Sequence, residues 1–167
     1  KRNKLLLIYV GINFGIAQIL FFLGYQLAGA INGALAQKTV VIFGLFFGYL
    51  INQEKISKTQ ITFSVILLFG LTLAVTGGSF NLLEFNIGVL IIIVVATLWM
   101  LAHAFTKPLF DKNEATPTFM VFVRNTLSGV FLITSYIIIF SADSLFLLFD
   151  SLNLFFILAM GIAYGLG

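Results

Sequence analysis

Between Leu5 and Ile51 the chain is apolar almost without interruption, and Lys38 is the one charged side chain in that run. As a single helix rising ~1.5 Å per residue the run would extend about 70 Å, more than twice the ~30 Å hydrocarbon core of a bilayer. It must fold back on itself. Glycines and an asparagine gather at Ala28-Gly29-Ala30-Ile31-Asn32-Gly33, the composition of a turn. This predicts one span at Leu5–Ala28 and a second at Ile31–Ile51. A soluble fold is excluded by composition: 60% of the 167 residues are hydrophobic and 9% charged, where a soluble domain carries roughly a quarter charged. The mean hydropathy of +1.12 agrees. Lipid is the solvent for this chain.

Four more apolar segments lie beyond Ile51. A polar loop, Asn52–Ser57 with Lys58, leads into a third span at Gln60–Gly77, which ends at Gly77-Gly78-Ser79. A fourth runs Phe85–Thr106 and precedes the most polar loop, Lys107–Thr116. Pro117, a favourable first-turn residue, opens a fifth span to about Ser141, and a sixth begins near Leu152. If each span crosses once, Lys1, Arg2, Lys4, Lys55, Lys58, Lys107 and Lys112 all fall on one side. The opposite loops hold Glu84, Asp143 and Asp150 and no cation. Such a split predicts a cytoplasmic amino end. The expected fold class is an all-α, polytopic transmembrane helix bundle, multi-pass in the plasma (inner) membrane.

The first segment is too long, and too similar to the later spans, for a signal peptide. The sequence opens without methionine and closes inside an apolar run, so the expectation is an internal segment of a larger permease-like chain. Two further spans are expected before Lys1 and at least two after Gly167. The string Gly11-Ile12-Asn13-Phe14-Gly15 returns 150 residues later as Gly161-Ile162-Ala163-Tyr164-Gly165. Five spans separate the copies, so they would run oppositely through the bilayer, as in an inverted-topology repeat. The other reading is that G-x-x-x-G is common wherever membrane helices approach closely.

Several short features in order resemble the drug/metabolite transporter superfamily, specifically its EamA-type ten-helix permeases. These are Phe21-Phe22-Leu23-Gly24-Tyr25, then Tyr49-Leu50-Ile51-Asn52-Gln53-Glu54-Lys55-Ile56-Ser57 with Gln60 and Gly70 beyond it, then Gly88, Trp99 and Lys107. The resemblance places Glu54 in the cytoplasmic loop between the family's fourth and fifth helices, and makes the Gly88–Trp99–Lys107 run the opening of its second half. It implies that residues 1–78 hold the last three transmembrane helices of one repeat. Residues 79–167 would hold the first two and a partial third of the other, in an inverted five-plus-five arrangement. Two positions depart from the pattern. Phe63 stands where a glycine is common, which bears on the packing of the third span. Gln37-Lys38-Thr39 stands where a proline is common in the fourth family helix, which bears on the substrate site.

Ionisable residues within spans are costly and commonly functional. Lys38 and Arg124 each lie seven residues into a span, about 10 Å deep by helix rise. Each either points its charge at a central cavity or snorkels to the nearer interface. No carboxylate lies within a span, which leaves His103 as the titratable alternative; it shares a helix face with Trp99, four residues earlier. Trp99 flanks a substrate or serves as an interfacial aromatic. Gln18 and Tyr25, seven apart, share a face with Gly11 that suits a helix seam slightly better than a cavity wall. Gln37 beside Lys38, and Asn125 beside Arg124, complete the candidate substrate-binding set. Most of the twenty phenylalanines read as lipid-facing bulk.

Transport is the leading expectation: a secondary transporter, permease or exporter, moves a small polar metabolite by alternating access. The paired cations favour an anionic or zwitterionic substrate. The resemblance implies export or exchange of amino acids, nucleotide-linked compounds or related metabolites. An intramembrane enzyme lacks support, since H-E-x-x-H, G-x-S-x-G and a carboxylate pair within the spans are all missing from the sequence. The alternative is a non-transporting membrane scaffold or assembly subunit. Catalytic residues, a metal site and a cofactor are not expected, and with no cysteine there is no thiolate chemistry. The expected partners are the small-molecule substrate and the bilayer, not nucleic acid, with a homodimer left open.

Overall fold

The computed structural model describes residues 2–80 and 86–166. Lys1, Glu84 and Phe85 lie outside the described residues, as does the side chain of Arg2. The elements are α1 Arg2–Ala28, α2 Ala30–Gln37, α3 Val40–Asn52, α4 Lys58–Val75, α5 Ile87–Asp111 and α6 Pro117–Phe140, then a 3-10 helix Ala142–Phe149 and α7 Ser151–Leu166. Among the described residues there is no strand. Four stretches are long and apolar enough to cross a bilayer: Lys4–Ala28, Ala30–Asn52, Ile87–Asp111 and Pro117–Phe140. The third and sixth expected spans are shorter helices, α4 with 18 residues and α7 with 16.

Two compact units divide the chain, Lys1–Gly129 and Val130–Gly167. In the first, α1 and α5 form an antiparallel pair. Gly88 approaches Gly24 and Ala28, Phe21 meets Trp99, Phe14 meets His103 and Tyr9 meets Phe105. The stripe on α1 reads Val10, Phe14, Ala17, Phe21, Gly24 and Ala28; that on α5 reads Gly88, Ile92, Val95, Trp99, Ala102, Thr106 and Leu109. Both advance by fours and threes, the 3.5-residue period of a helix seam. Ile92, Val95 and Ala17 on these stripes are fully buried. Small residues suit a membrane seam because backbones can close up and gain dispersion where lipid offers no hydrophobic drive.

The turn between α1 and α2 lies at Gly29, whose φ of 78° is readily reached without a β-carbon. Across this hairpin the Tyr25 hydroxyl donates to Gln37 Oε1 at 2.9 Å, with Gly33 pressed against the Tyr25 ring.

The second expected span is not one continuous helix. It breaks at Lys38-Thr39, the segment where the family pattern offers a proline. Thr39 Oγ1 donates to the Ala36 carbonyl at 2.7 Å, and the N–H groups of Lys38, Thr39, Val41 and Ile42 donate to carbonyls three residues back. A short 3-10 turn thus replaces the kink that a proline would make.

Beyond α3, Gln53 adopts a left-handed φ of 56°, and the Glu54 N–H donates to the Gly48 carbonyl at 3.1 Å, a Schellman closure. Helix α4 begins at Lys58, two residues before the expected Gln60. Ser57 Oγ accepts from the Gln60 N–H while Gln60 Oε1 accepts from the Ser57 N–H, a capping box that fixes the start. Most of α4 is exposed, and Phe63 is 66% exposed; the departure from glycine there coincides with a helix that packs lightly, mainly against α2.

Helix α5 continues past the expected Thr106 through Pro108 to Asp111, so the polar loop is shorter than the sequence suggests. Because α1 and α5 are antiparallel and Lys107 pairs with Glu54, Lys4, Lys55, Lys107 and Lys112 gather at one end of this unit. In the second unit, the apolar stretch expected to be a loop forms the 3-10 helix Ala142–Phe149. Asn153 Nδ2 donates to the Leu147 carbonyl at 2.8 Å, tying it to α7.

Candidate functional site

Phe14, halfway along α1, is where the polar candidates converge. The Arg124 guanidinium of α6 lies over its ring, 4.7 Å from the centroid. Trp99 stacks on it at 6.4 Å with the planes 17° apart, and the His103 ring meets it edge-on at 5.7 Å. A guanidinium over an aromatic face is attracted by the ring quadrupole, most strongly where water is scarce. Arg124 Nε also donates to Asn125 Oδ1 at 3.2 Å. This orients the charge while leaving the terminal nitrogens for other acceptors.

Arg124 and His103 line a cavity of about 210 Å³ between α1, α5 and the first half of α6. Its other polar lining residue is Thr106, whose hydroxyl donates to the His103 carbonyl at 3.0 Å. Val10, Ala102, Phe110 and Met120 supply apolar wall. Close packing frames it: Gly11 of α1 leaves room for Leu127 of α6, since a β-carbon at Gly11 would overlap the Leu127 side chain. One fixed cation, one titratable ring and an apolar wall suit a small ligand with an anionic head.

A second, smaller cleft of about 150 Å³ lies on the far side of α5, between it, α3 and the Glu54 loop. There Lys107 Nζ donates to Glu54 Oε1 in an ion pair. Gly48 accommodates the carboxylate, because a β-carbon there would lie 2.9 Å from Glu54 Oε2. His103 lines this cleft as well.

The structure brings Arg124, Asn125, His103 and Trp99 into one neighbourhood. Lys38 is not in it: it is exposed at the α2–α3 break and lines neither cavity. Tyr25 and Gln37 bond to each other in the hairpin. Gln18 is half-buried one helical turn from both Phe14 and Phe21, outside the cavity lining. Gly11 acts in a seam, although the partner there is α6. Phe14 was missed by assigning phenylalanine to lipid, and Thr106 by treating it only as the end of the fourth span. The available signal was the recurrence of Phe14 and Phe21 seven apart, in register with Val10, Ala17 and Gly24. The Trp99 indole N–H is buried with no acceptor among the described residues.

Residues 1–76 match the model of the EamA-like transporter family, which supports an EamA-type segment of the drug/metabolite transporter superfamily in this part of the chain. With the apolar helices, the match gives an integral, multi-pass membrane protein and points to membrane transport. No curated protein and no solved structure matches the chain.

Proposed function

From the EamA-type character of residues 1–76, we propose that the protein is a secondary transporter that moves a small anionic or zwitterionic metabolite by alternating access. The observation that carries the reading is the Arg124 guanidinium held over Phe14 at the wall of a small cavity. An intramembrane cation is expensive to maintain unless something uses its charge. In this reading Arg124 takes the carboxylate or phosphate of the substrate, Thr106 and His103 supply further polar contacts, and the apolar wall takes the remainder. Lys38 has a separate role, at a hinge in a broken helix of the kind that gates transporters.

The remaining features fit the same reading. Residues 1–78 and 79–167 belong to the two inverted repeats, and the lysine-rich end faces the cytoplasm of the plasma membrane. Uptake of labelled phenylacetate and labelled phenylalanine into proteoliposomes tests the proposal. Uptake through the wild-type protein is expected for at least one of them. Arg124→Gln is expected to reduce it at least tenfold, and Arg124→Lys to retain part of it. Equal uptake by wild type and Arg124→Gln would remove Arg124 from the site.

A further inference from the structure

His103 lines both the Arg124 cavity and the Glu54–Lys107 cleft. Among the described residues no other is common to the two linings. His103 is exposed and sits on the seam helix α5, eight residues before that helix ends. The cleft is lined by a charged pair whose members are each nearly half exposed, so water reaches it beside that pair. On its other side stands the cation that the proposed anion would meet. Imidazole is the side chain whose ordinary protonation range falls between pH 5 and 8, and the sequence holds one histidine.

We propose that His103 is a proton-binding site coupled to the anion held by Arg124, loaded through the Glu54–Lys107 cleft. The inference rests on the reading of the cavity as an anion site. The charged and titratable groups around the ring set the sign of the coupling. Across the cavity α6 presents Arg124. Across the cleft the α3–α4 loop presents Glu54, and Lys107 stands one turn further along α5. The parts of α1 and α3 that line these cavities carry no ionisable side chain: Val10 and Phe14 on α1, Gly44, Gly48 and Asn52 on α3.

With the cavity empty, a proton on His103 places a second cation beside Arg124, and like charges disfavour it. An anionic head in the cavity reverses that balance, because it is attracted by both cations. Proton and anion then bind cooperatively, and each raises the affinity for the other by the same factor. The proton comes from water in the cleft to the lone-pair nitrogen of the imidazole, giving imidazolium. It returns to water when the anion leaves. The O–H bond of a hydronium ion breaks as the imidazole N–H bond forms, leaving water, and the reverse occurs on release.

Phenylacetate serves as the probe, chosen for one carboxylate on an apolar ring. Its affinity for the purified protein is measured by calorimetry at pH 5.5 and pH 7.5, in buffers of different ionisation enthalpy, which also counts protons taken up. The expected result is binding roughly tenfold tighter at pH 5.5, the scale of one linked titration, with net proton uptake at the higher pH. His103→Gln and His103→Asn should both flatten the pH dependence and abolish proton uptake. Arg124-dependent binding that is equally tight at both pH values, without proton uptake, overturns the role of His103 and leaves the anion site standing. Binding that is absent, or that persists unchanged in Arg124→Gln, removes the anion site and the inference with it.

Discussion

Gly88 of α5 and Gly24 of α1 meet so closely that a β-carbon on Gly88 would lie 2.7 Å from the Gly24 carbonyl oxygen. The same β-carbon would overlap the backbone nitrogen of Ala28. Both obstacles are backbone, so no rotamer change relieves them. Gly88→Ala should push α1 and α5 apart and cost about 1–3 kcal/mol, the usual range for overpacking. Gly70→Ala on α4 is the matched control, because its β-carbon enters open space. Thermal unfolding in detergent compares the two, and equal midpoints would mean that the α1–α5 seam is not as tight as described.

Glu54 and Lys107 are 53 residues apart in sequence and bonded in space. Both are nearly half exposed, so solvent and salt should screen the pair heavily. A double-mutant cycle with Glu54→Gln and Lys107→Gln should give a small favourable coupling at low ionic strength that fades as salt is added. A large coupling insensitive to salt would indicate a buried pair instead.

The Tyr25–Gln37 hydrogen bond closes the α1–α2 hairpin. Tyr25→Phe keeps the ring against Gly33 and removes one partly buried bond, which is worth about 1 kcal/mol. A stability loss of that order with unchanged phenylacetate binding is expected. Loss of binding at full stability would return Tyr25 to the substrate site.

Because the chain contains no cysteine, single cysteines report topology directly. Lys55→Cys and Lys112→Cys should react with an impermeant maleimide from the same side of the membrane, and Ala30→Cys from the other. Labelling of Lys55→Cys and Lys112→Cys from opposite sides would break the assignment of spans.

Much of the helix pattern was legible in the sequence because it derives from hydropathy and length. The fold-back at Gly29, the start of α6 at Pro117 and the gathering of lysines at one end all come from residue type alone. The break at Lys38-Thr39 was not legible as a break, since a threonine-to-carbonyl hydrogen bond produces it where proline is absent. The 3-10 helix Ala142–Phe149 was missed because its apolar residues sit between Ser141 and Asp150, which read as loop boundaries.

The site divides in the same way. Arg124 and His103 stood out because charge inside an apolar span is rare. Their convergence on Phe14 depends on contacts across three helices, and no local pattern encodes that. Lys38 stood out for the same reason as Arg124, yet it lies exposed at the helix break.

Ligand-induced stabilisation reports most directly whether Arg124 recognises an anion, since a ligand that binds the folded state raises its melting temperature. Phenylacetate and 4-methylpentanoate are compared with their neutral amides, on wild type and on Arg124→Gln. The expected result is that at least one acid stabilises the wild-type protein, its amide does not, and Arg124→Gln loses the difference. Equal stabilisation by acid and amide, or an acid effect that survives in Arg124→Gln, would contradict an anion site built on Arg124 and Phe14.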